Sequence, residues 1–145
     1  MQHQRCNRGF TLLETLLVLT ILMAVSFGVP VYAGQAAKQE ETRFFDLLIG
    51  DILSMQGESY RNGEWTELHF GTDGGSYTVS KNYSTVLVTR QMPATVRMDK
   101  TSYLKNIRFS PQGNVEAAGT IRFSSSGGVR VLTVHLGKGR VVLSE

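Results

Sequence analysis

From Thr15 to Ala37 the chain contains no charged residue. Wound into an α-helix, that run spans about 35 Å, against a bilayer hydrocarbon core of about 30 Å. It is long enough to cross a membrane once. Residues 1–9 before it are polar, with Arg5 and Arg8 and no acid, and the chain turns apolar at Phe10. The two arginines favour a cytoplasmic N-terminus by the positive-inside rule, which puts the rest of the chain outside the membrane. Two ordinary segments have this shape. One is a secretory signal peptide, for which Ala33-Gly34 supplies small residues at a cleavage site; the other is a plain signal anchor. Neither accounts for Glu14. A carboxylate in an otherwise uncharged membrane helix costs about 2.5–3.5 kcal/mol on insertion scales, and such a group needs a partner.

The remainder bounds the answer less sharply. A length of 145 residues suits one globular domain. The net charge of +3 is too small to mark a nucleic-acid binder by itself. The single cysteine, Cys6, excludes an intramolecular disulfide. It precedes the apolar run, whereas the cysteine of a lipoprotein signal follows one, so it reads as incidental and leaves with a leader.

The stretch Arg8-Gly9-Phe10-Thr11-Leu12-Leu13-Glu14 resembles the processing motif of type IV prepilins and pseudopilins. The resemblance implies that a membrane peptidase cuts between Gly9 and Phe10 and that the new terminal Phe10 is N-methylated. Glu14 then takes the fifth mature position, where its carboxylate neutralises the terminal amine of a neighbouring subunit during assembly. The physics agrees, because a paired charge in lipid costs far less than an isolated one. Glycine before the cut lets the peptidase approach the backbone closely.

Pro30 is expected to kink the helix, since it removes a backbone donor and clashes with the preceding turn. Residues 31–38 read as the hinge between membrane part and domain. Phe45, Leu48, Ile52 and Met55 then recur at spacings of three and four, with Phe44 and Leu47 beside them and Arg43, Asp46, Gly50 and Ser54 on the opposite face. Gly57 is the expected helix stop. Beyond it, turn signals recur at Asn62-Gly63, Asp73-Gly74-Gly75, Lys81-Asn82, Met92-Pro93, Ser110 to Asn114, Ser126-Gly127-Gly128 and Gly137-Lys138-Gly139. Short alternating runs such as Thr66–Phe70 lie between them. The expected fold class is α+β: a long N-terminal helix, membrane-spanning in its first half, packed on an antiparallel meander of six to eight strands. The expected divisions are a leader over 1–9, a transmembrane and assembly helix over 10–37, and an extracytoplasmic domain over 38–145.

The C-terminal third adds a second resemblance. Gly119-Thr120-Ile121-Arg122-Phe123 and the ending Leu136-Gly137-Lys138-Gly139-Arg140-Val141 are similar to the GspH/FimT-like minor pseudopilins, closest to the competence pseudopilins of the ComGD type. This implies a minor subunit of a competence pseudopilus that serves uptake of transforming DNA. Its implied partners are other pseudopilins, the prepilin peptidase, membrane lipid, a membrane assembly platform with its ATPase, and DNA. The implied location is the cell membrane, single-pass, and the cell surface after assembly. A type II secretion pseudopilin and a signal-anchored surface domain that never assembles are the alternatives.

No active site is legible. His69 and His135 stand on strands with no second ligand or base at a known spacing, and Gly137-Lys138-Gly139 lacks the spacing and following helix of a phosphate loop. The chain therefore reads as neither an enzyme nor a metal or cofactor protein. Charge is uneven: from Lys38 to Val96 the balance is −3, and from Arg97 to Glu145 it is +5. Alternation turns Arg108 and Arg122 away from the core. If their strands are neighbours, they join Lys138 and Arg140 in a basic patch. That patch reads either as a solvated strand face or as a DNA contact acting through counterion release.

Overall fold

The computed structural model describes residues 11–137 and 139–144, with the backbone alone for residues 27–33. Gly9, Phe10 and Lys138 lie outside the described residues. The chain divides into two compact units, Met1–Ala36 and Ala37–Glu145. Helix α1 runs over Leu12–Asn62. It is unbroken through Pro30 and through residues 31–38, so the division between the units falls inside a helix and not in a loop. The expected stop at Gly57 is corrected. Gly57 is accommodated on the exposed face, Ser59 Oγ donates to Gln56 O at 2.7 Å, and Arg61 and Asn62 both bond Glu58. The helix ends instead at Gly63, whose φ of 65° is the left-handed conformation a helix terminus needs.

Eight strands follow: β1 Thr66–Phe70, β2 Ser76–Lys81, β3 Thr85–Gln91, β4 Arg97–Met98, β5 Asn106–Phe109, β6 Gly119–Ser125, β7 Gly128–Val134 and β8 Val141–Ser144. They do not form the single meander expected. Two four-stranded antiparallel sheets form, in the orders β3-β2-β1-β5 and β4-β6-β7-β8. The chain makes a meander of β1 to β3, gives the short β4 to the second sheet, and returns β5 to the edge of the first beside β1.

In the second unit, the amphipathic stripe of α1 supplies the core. Phe44, Phe45, Leu48, Ile52 and Met55 are buried, while Arg43, Asp46, Gly50 and Ser54 are exposed. Phe45 packs edge-on to Phe123 of β6 at 5.5 Å, and Phe44 to Tyr77 of β2 at 6.1 Å. Phe70 of β1 meets Phe123 at 5.8 Å, so the two sheets touch each other as well as the helix. Such edge-to-face pairs each add about 0.5–1.5 kcal/mol beyond the area they bury.

Two carboxylates of α1 fasten it to the strands. Asp51 accepts from Tyr77 Oη at 2.7 Å and from Arg90 Nε at 2.6 Å. Burial alone would raise its pKa, but the hydrogen bonds from Arg90 and Tyr77 outweigh it and hold the carboxyl below its ordinary value. Glu41 is 1 % exposed and accepts the Ser126 amide at 2.9 Å in the β6–β7 turn. Burial again opposes ionisation, and the hydrogen bonds from Thr95 and Ser126, with the charge of Arg130, keep its pKa low.

Both folded-state values are depressed. Their contribution is therefore complete above the ordinary carboxylate values of 4.5 and 3.8 and is lost as the pH falls through the lower folded ones. Urea denaturation followed by Trp65 fluorescence is expected to show this loss on acidification. At neutral pH, Asp51→Ala strands the Tyr77 hydroxyl and the Arg90 guanidinium, and the same measurement is expected to show a loss of about 1–3 kcal/mol.

Candidate functional site

The start of α1 is built for an apolar setting. Thr11 precedes the helix, and its Oγ1 and carbonyl O accept the Glu14 amide at 3.4 and 2.9 Å. Thr11-Leu12-Leu13-Glu14 thus has the spacing of a capping box, and the acid at the first turn favours the positive end of the helix dipole. Leu12, Leu13, Leu16, Leu17, Leu19 and Leu22 are all more than half exposed. A helix that is apolar on every side is one that buries itself in lipid or among other helices. Its hydroxyls fit that environment. Thr15, Thr20 and Ser26 donate to the carbonyls of Leu12, Leu17 and Leu22 at 2.7–2.9 Å, so no hydroxyl here seeks water. Among the described residues no helix is long and apolar enough to cross a membrane.

The expected basic patch does not form as drawn. Arg108 lies on β5 and Arg122 on β6, and these strands belong to different sheets. Both side chains do turn away from the core, since Ile107, Phe109, Ile121 and Phe123 are the buried neighbours. Arg108, however, is committed within the first sheet. It donates to Glu116 at 2.9 Å, lies 3.9 Å from Glu67, and bonds the Tyr83 hydroxyl with its guanidinium 4.8 Å from the ring centroid. Tyr83 occupies the β2–β3 turn at φ 62°, beside Asn82 at φ 47°. The left-handed conformation is unusual for a tyrosine, and the stack and hydrogen bond from Arg108 offset its strain.

Arg122 and Arg140 share a sheet face. Arg122 pairs with Val131, and the His135 amide donates to Arg140 O, so the register sets both on the outer face of the second sheet. Four positions along and two strands across correspond to a separation of about 16 Å. The turn carrying Arg140 is packed down by Gly139, where an added Cβ would lie 2.4 Å from the Phe109 ring. Glu41 and the Asp51–Arg90 pair were not legible as anchors, because each joins residues far apart in sequence. The cap at Thr11 was not read from the sequence either, although the Thr-x-x-Glu spacing is the signal for it. His69 and His135 are exposed, and no group of three His, Cys, Asp or Glu side chains among the described residues is placed to hold a metal ion.

Residues 4–29 match the prokaryotic N-terminal methylation motif. The fold is similar to that of the type IV minor pilin FimU of Pseudomonas aeruginosa in two crystal forms. One aligns with a TM-score of 0.61 at 16% identity, over 74% of this chain and 90% of that one. The other aligns with a TM-score of 0.51 at 15% identity, over 77% and 92%. No curated protein matches the sequence significantly. The chain thus joins the N-terminal methylation motif of prepilin-type proteins to the α+β fold of a type IV pilin.

Because Arg108 braces a strained turn, Arg108→Ala is expected to cost about 1–2 kcal/mol of stability in urea denaturation. Arg108→Lys is expected to recover only part of this, since lysine lacks the planar fork.

Proposed function

We propose that this protein is a minor pseudopilin of a competence system, a structural subunit that helps transforming DNA reach the uptake machinery. The observation that carries the subunit reading is the methylation motif over residues 4–29 at the head of a pilin-fold chain. The precursor is held in the cell membrane by its N-terminal segment, with its domain outside. A prepilin peptidase cleaves between Gly9 and Phe10 and methylates Phe10. The protein is the substrate of that chemistry and is itself no enzyme. Pro30 bends the anchor. Glu14 pairs with the amine of a neighbouring subunit as a platform and its ATPase draw the chain from the bilayer into the pseudopilus. The exposed apolar start of α1 supports this, because such a surface is stable only among lipids or other helices.

The competence assignment rests on the Gly119–Phe123 strand and the Leu136–Val141 ending. Arg122 and Arg140 on one sheet face, with Lys138 between β7 and β8, are its DNA-facing candidates; Arg108 serves the fold.

A deletion strain, complemented with wild type, Gly9→Val or Glu14→Val, tests the reading by transformation frequency and by the profile of exported proteins. Deletion is expected to abolish transformation, with only the wild type restoring it. Normal transformation with a lost exported protein would replace competence with type II secretion.

A further inference from the structure

The loop between β4 and β5 presents Lys100, Tyr103 and Lys105 at the surface, and Tyr103 is 79 % exposed. The loop is tied down on every side. The Thr101 amide donates to Asp99 Oδ1 at 2.8 Å. Ser102, 3 % exposed, accepts the Arg122 amide at 2.9 Å and donates to Asp99 O at 2.6 Å. The Asp99 amide donates to Arg122 O, and the Leu104 amide to Thr120 O. The Tyr103 ring rests on Gly119, where an added Cβ would lie 2.6 Å from Cδ1. The Cδ1–Cε1 side of the ring is thus backed by β6 and the rest is open.

We propose that this loop and the adjoining Arg122 bind single-stranded nucleic acid, with Tyr103 stacking on a base and Lys100, Lys105 and Arg122 meeting phosphates. Sites for single strands join a fixed aromatic platform to a run of cations, and here β6 holds the loop that carries the ring and the two lysines. Lys100, Lys105 and Arg122 form no salt bridge among the described residues, and the Lys105 ammonium donates to the Lys100 carbonyl within the loop. Asp99 is the acid among them, and the Thr101 hydrogen bonds, with Arg122 and Lys105, hold its carboxyl below the usual range. A cavity of about 200 Å³ opens beside the lysines, lined also by His69, Phe70 and Met98. An acidic peptide would answer the cations but leave the open face of the ring without a planar partner. The site shares Arg122 with the DNA-facing candidates named above, adds Tyr103, Lys100 and Lys105 to them, and depends on the competence reading only for its biological setting.

The full chain in neutral detergent is titrated into labelled oligothymidylate, followed by anisotropy at several salt concentrations. Tyr103→Ala is expected to weaken binding about 5- to 150-fold, with the salt slope unchanged and Tyr103→Phe close to wild type. Lys100→Ala with Lys105→Ala is expected to lower the slope of log K against log salt by about 1.4. Unchanged binding by Tyr103→Ala overturns the proposal, as does equal or tighter binding of duplex DNA, heparin or polyglutamate. Absence of binding in a protein whose deletion still abolishes transformation removes this site and leaves the competence reading standing.

Discussion

Both sheets are built on one face of one helix. Phe45 of α1 faces Phe123 of the second sheet, and Phe44, one residue earlier, faces Tyr77 of the first. Leu48, Ile52 and Met55 continue the buried stripe for nearly three further turns. Each four-stranded sheet would otherwise leave its apolar face in water. Removing a buried phenylalanine from such a floor costs about 3–5 kcal/mol, and Phe123 has the further task of meeting Phe70 across the sheets. The polar anchors add direction to this burial. Asp51 sets the helix against β2 and β3, and Glu41 sets it against the β6–β7 turn. Hydrophobic contact alone would tolerate a slide along the helix axis; two ionised carboxylates with fixed donors do not.

The same helix changes its character at its other end. Between Leu12 and Ser26 it has no buried side, and its hydroxyls bond back to its own carbonyls. A surface of that kind is adapted to lipid or to neighbouring helices, whereas the second unit is adapted to water on the outside and to its own core within. That contrast, joined to the methylation motif over residues 4–29, is what the proposed subunit role draws on.

Charge tells a different story in space from the one it tells along the chain. Arg108 belongs to the basic C-terminal half by sequence, yet the return of β5 beside β1 carries it to Glu67 and into reach of Glu116 and Tyr83. There it becomes part of the fold. The loop of Lys100 and Lys105 is bonded along the backbone of β6 at Thr120 and Arg122, although the lysines and the arginine lie on separate elements. Alternation within a strand correctly gave the side on which each arginine stands. It carried no information on which strands become neighbours, because pairing is decided by long-range packing and not by local pattern.

The sequence by itself determined the N-terminal motif, the uncharged run, the buried stripe Phe45-Leu48-Ile52-Met55, the α+β class and nearly every turn. These depend on local periodicity, on glycine and proline, and on charge, all of which act over a few residues. The end of α1 was misplaced because an exposed glycine inside a helix costs only about 1 kcal/mol relative to alanine, which the flanking Ser59 and Glu58 contacts offset. Only the tertiary structure decided that the strands split into two sheets, that β4 and β5 go to opposite ones, and that Glu41 is buried. Those outcomes turn on which faces Phe44, Phe45, Phe70, Tyr77 and Phe123 bury together, a competition between distant segments that no short window of sequence records.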